Sequence, residues 1–89
     1  MARVQMETLE KFELAAEGSS CDALYDLGLI YSTGRGVEVD LVVAHKWFNL
    51  AAVRGSAAAK QCRAELALEM APAEVAEAQR QAREWLAAH

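Results

Sequence analysis

The chain has 89 residues, enough for one domain and no more. Apolar residues make up 54% of it and charged residues 25%, a balance that excludes bulk disorder. Net charge is −4, and nine Lys and Arg are scattered among thirteen Asp and Glu, so the clustered basic face that nucleic-acid binding needs is missing. No apolar run approaches the ~20 residues of a membrane span. Met1-Ala2-Arg3-Val4 is not followed by the apolar stretch of a signal peptide, so the chain as written reads as cytoplasmic. Were it part of a longer exported protein, a periplasmic or exported location would be open to it. Alanine is abundant, while there are one proline, five glycines and few β-branched residues. That composition predicts an all-α class.

Residues 3–17 carry Met6, Leu9, Phe12, Ala15 and Ala16 at offsets of three and four, one face of a helix that Gly18 would end. Ser19-Ser20-Cys21-Asp22 resembles a capping box for a second helix reaching about Thr33. Its stripe is Ala23, Leu24, Leu27, Ile30 and Tyr31, and Gly28 within it suggests a neighbouring helix pressed against the backbone. Gly34 and Gly36 supply positive-φ positions for a compact loop, and Asp40 is placed to cap a third helix bearing Val43, Ala44, Trp47, Phe48, Ala51 and Ala52. Gly55 ends that helix and Ser56 starts a fourth, about 57–70, with Ala59, Cys62, Leu66 and Met70 as its stripe. Pro72 marks the first turn of a fifth helix carrying Val75, Ala78, Ala82, Trp85 and Leu86. About five helices with short connections predict an antiparallel stack.

Shifting the chain by 36 residues lays Phe12 on Phe48, Ala15 on Ala51, Ala16 on Ala52 and Ala23 on Ala59, the period of a helix-turn-helix solenoid. The central segment is more specific: Ala23, Leu27-Gly28 and Tyr31, then Gly34-Arg35-Gly36-Val37 and Asp40, then Ala44, Trp47-Phe48, Ala51-Ala52 and Gly55. It resembles a Sel1-like repeat of the bacterial type, a relative of the tetratricopeptide repeat, at each position of the family pattern. The resemblance implies an α-solenoid formed by a single domain over 1–89. Residues 3–18 would be the second helix of a preceding repeat and 20–59 a complete repeat. Residues 56–70 would be a degenerate first helix of the next, with Arg63 where Leu27 stands in the full repeat, and 71–89 a closing helix.

Chemistry-bearing residues are sparse. Gly34-x-Gly36 lacks the lysine and preceding strand of a phosphate loop. His45 reads as lying on an exposed, charged helix face, and neither it nor His89 has a companion at metal-ligand spacing. The acids show no buried pair, and no cofactor, metal or enzyme activity is expected. Cys21 and Cys62 read as small, mostly buried residues on separate helices, whereas a bridge between them would imply an oxidising compartment. Trp47, Phe48 and Tyr31 read as core. A second face of the Ser19–Thr33 helix, made by Asp22, Tyr25, Asp26, Leu29, Ser32 and Thr33, lies opposite the core stripe. First helices line the concave groove in the family it resembles, so the resemblance nominates this face for a protein or peptide partner. Tyr25 and Leu29 are its expected anchors, and their truncation is expected to spare folding. The resemblance thus implies a scaffold or adaptor module, monomeric or weakly self-associating. A self-assembling structural unit and an enzyme regulator or weak hydrolase are the alternatives.

Overall fold

A computed structural model describes residues 21–88. The described residues form four helices: α1 (Cys21–Thr33), α2 (Leu41–Val53), α3 (Ala57–Ala67) and α4 (Pro72–Ala88). The expected helix over 3–17, its Gly18 stop and the Ser19 cap lie outside them. The fold is all-helical, and α2 is its hub, with α1, α3 and α4 each packed on it.

Local chemistry sets each boundary. At the end of α1 the amides of Gly34 and Arg35 both donate to the Ile30 carbonyl, at 2.9 and 3.1 Å. Gly34 and Gly36 hold φ of 74° and 78°, a region that side chains with a Cβ resist. The Asp40 amide then donates to the Tyr31 carbonyl at 3.0 Å and ties the loop back onto α1. Asp40 caps α2, its Oδ1 accepting from the Val43 amide at 3.1 Å. Gly55, at φ 104°, turns the chain out of α2, and Ser56 caps α3 by accepting from the Ala59 amide at 3.1 Å.

α3 is shorter than the periodicity predicts. It stops at Ala67, and the amides of Leu68, Glu69 and Met70 donate three residues back, to Glu65, Leu66 and Ala67. This tightened turn keeps Met70 buried while Leu68 is 87% exposed. Pro72 is the first residue of α4. Ala71 precedes it without a capping oxygen, and Glu74 reaches back so that its Oε1 accepts from the Ala71 amide at 2.8 Å. That is one half of a capping box.

The core is continuous across the four helices. Leu24 and Leu27 of α1 meet Ala44, Trp47, Phe48, Leu50 and Ala51 of α2, joined by Ala59, Leu66, Met70, Ala78 and Ala82. Small residues at the crossings allow close approach. A Cβ on Gly28 would collide with the Phe48 ring, so the aromatic ring lies directly on the α1 backbone. Trp85 of α4 meets Trp47 edge-on, 5.9 Å between centroids at 78°. Ala23 is buried, while Tyr31, Val37 and Ala52 are half-buried around this core.

His45 departs from expectation: it is 2% exposed. The reason is the hub position of α2. A helix covered on several sides has no broad charged face, and even Lys46 lays its Nζ over the Trp47 ring, 4.3 Å from the centroid. His45 Nδ1 and Trp47 Nε1 are buried with no hydrogen-bond partner among the described residues.

Candidate partner-binding groove

α1 and α3 both rest on α2 but are splayed from each other, and an open groove of about 220 Å³ runs between them. Leu29 and Ser32 line it from α1, Phe48 forms its floor from α2, and Cys62, Glu65, Leu66 and Glu69 line it from α3 and the turn that follows. The contacts ascend together along the two helices. Tyr25 meets Cys62, its hydroxyl 3.9 Å from Sγ, and Leu29 and Ser32 then face Glu65, Leu66 and Glu69. The two walls therefore run parallel, as the first helices of successive solenoid repeats do.

The Tyr25–Cys62 contact bridges α1 and α3 on the N-terminal side of the groove. It also raises the Tyr25 phenol above its ordinary value, with smaller contributions from burial and from the Asp26 carboxylate, which keeps the hydroxyl protonated. At the other end the hydroxyls of Ser32 and Thr33 both donate to the Leu29 carbonyl, at 3.2 and 2.6 Å. Cys21 and Cys62 are unbridged and half-buried.

Of the six face residues nominated from sequence, Leu29 and Ser32 line the groove, and Tyr25 touches Cys62, which lines it from α3. Asp22, Asp26 and Thr33 lie on α1 without lining it. Tyr25 is no bare surface residue: its ring leans on Phe48, centroids 5.8 Å apart at 48°. Both Tyr25 and Leu29 pack against the core, so their truncation would weaken the fold as well as the face. The far wall does not stand out in the sequence. The signal for it is the 36-residue shift, which lays Leu29 on Glu65 and Thr33 on Glu69 and so carries the same face from α1 to α3.

The groove is below the ~300 Å³ at which small-molecule sites begin. Among the described residues no three of His, Cys, Asp and Glu gather at metal-binding distance, and no helix is long and apolar enough to cross a membrane. The groove offers an apolar seat, a thiol and two carboxylates on an open surface.

The family model of the Sel1 repeat matches residues 21–56. The alginate biosynthesis protein AlgK of Azotobacter vinelandii is 37% identical to this chain over 60 residues, which are 67% of this chain and 13% of AlgK. The chain thus spans a small part of that relative's length. No solved structure gives a significant match.

Proposed function

This chain carries a Sel1 repeat over residues 21–56, and from that premise we propose that it is an adaptor or scaffold module that seats a segment of a partner protein between α1 and α3. Sel1 repeats mediate protein–protein interaction and are not catalytic as a family. The observation that supports the finer reading is the open groove itself, floored by Phe48 and walled by Leu29 and Leu66. Buried aromatic and aliphatic seats of this kind are where the binding energy of an interface concentrates. The similarity to part of AlgK concerns the module, and the pathway in that relative's name is not carried across with it.

A displayed library of random short peptides, panned on the purified chain, tests the reading. Expected are selected peptides whose binding weakens in Leu29→Ala and after alkylation of Cys62 with a bulky maleimide in a Cys21→Ser background. A circular-dichroism melt keeps loss of fold apart from loss of binding. Failure to select any peptide, or selected peptides indifferent to both changes, would remove the groove as the binding face.

A further inference from the structure

Resting on that reading, we infer that the occupant of the groove is a basic segment of a partner protein, with an aliphatic side chain on the Leu29–Phe48–Leu66 floor and a Lys or Arg beside it reaching Glu65 and Glu69. The apolar floor lies beneath a rim that is acidic on the α3 side. Glu65 and Glu69 are both exposed, and among the described residues neither is paired with a cation. Glu65 accepts only from the side-chain amide of Gln61, at 3.3 Å. On α4, by contrast, Arg80 sits between Glu77 and Glu84 and pairs with both, so that cation is engaged away from the groove.

The backbone adds to the same sign. The walls run parallel, so the C-terminal ends of α1 and α3 lie at the same end of the groove. Neither helix carries a basic residue in its last turn. Two helix C-termini contribute partial negative charge at the end where Glu69 stands. The cations of α3 are turned away or occupied. Lys60 lies about 200° around the helix from Cys62, and Arg63 is bound through Nη1 to Asn49 Oδ1 at 2.6 Å. Arg35, in the loop after α1, is exposed and does not line the groove. An acidic ligand would meet uncompensated repulsion here, and a purely apolar one would gain nothing from the two carboxylates on the rim.

The charge and composition of the panned peptides decide the inference separately from the groove. Expected are sequences with Leu, Ile, Val or Met next to Lys or Arg, bound more weakly as salt rises. Two exposed charge pairs are worth about twofold to thirtyfold together, so the Glu65→Gln/Glu69→Gln double variant should lose that much affinity. Neither side chain is in the core, so the melt of this variant should match the wild type. The Glu65→Lys/Glu69→Lys variant should turn the selection towards acidic peptides. Neutral or acidic sequences selected by the wild type, or affinity unchanged in the Gln double variant, would overturn the inference while leaving the groove reading in place. An empty selection would overturn both.

Discussion

At Gly28 a hydrogen occupies the space where any other residue would place carbon against the Phe48 ring. Helix propensity alone would favour Ala by ~1 kcal/mol, but a collision with the Phe48 ring carbons cannot be relieved by rotating a flexible side chain. Overpacking costs about 1–3 kcal/mol, so Gly28→Ala should lower stability in urea denaturation. Adding Phe48→Leu should recover part of the loss, because the two sites share the same space. That a neighbour presses on this backbone is readable from a glycine inside an apolar helix stripe; which ring does so is not. His45 illustrates the opposite case. Its sequence neighbours include a lysine, and only tertiary cover makes the site apolar. Burial, and secondarily the Arg63 charge, lower its pKa from the ordinary 6.5. As pH falls the unfolded chain therefore takes up the proton before the folded one. The contribution is constant above pH 6.5 and is lost below it, by at most about 1.4 kcal/mol per pH unit. In chemical denaturation between pH 7 and 5, wild type should fall relative to His45→Leu; parallel curves would mean the ring titrates normally.

The helices show what element-level patterning conveys and where it stops. Asp40 and Ser56 are caps by residue type and position, and both accept the third amide of their helix. The end of α3 is harder to read. Its stripe continues through Met70 by the four-residue step of a helix, but Met70 reaches the core from a tightened turn, a change of conformation that the spacing does not register. α4 begins with an incomplete capping box, Glu74 present and Ala71 in the cap position. Ala71→Ser should therefore raise thermal stability by about 0.5–1 kcal/mol, with a smaller gain in a Glu74→Ala background. Trp47 joins elements, and it is 5% exposed. Trp47→Ala should cost about 3–5 kcal/mol, a loss large enough to abolish a cooperative melt in a domain this small. Trp85→Ala should cost less, because Trp85 is half-buried where Trp47 is buried.

Across the whole molecule, one repeat pattern is enough to give the fold class, because its positions act mechanically. Gly34 turns the chain, Asp40 caps a helix, and Trp47 and Phe48 fill the space between helices. Half of the groove is legible for the same reason, since α1 carries the full pattern. The other half lies on α3, where Lys60 and Arg63 replace the apolar residues of α1 and the family signal fades. Its placement depends on how far the two helices splay, a tertiary quantity. A shallow groove of this size should bind short peptides weakly, with Kd in the range of roughly 10–100 μM. Two copies joined by a flexible linker should gain about 10²–10⁴ in avidity towards a ligand carrying two matching segments; equilibrium binding on a peptide-coated surface would measure it. The hub position of α2 also ranks the parts by how they open. α1, α3 and α4 each pack chiefly on α2 and touch one another little, as at Tyr25–Cys62, so any one of them can leave while α2 stays covered by the others, whereas α2 is released only when all three have left. In amide hydrogen exchange the slowest protons should therefore belong to residues 44–51 and report global unfolding, with the outer helices exchanging through smaller, independent openings.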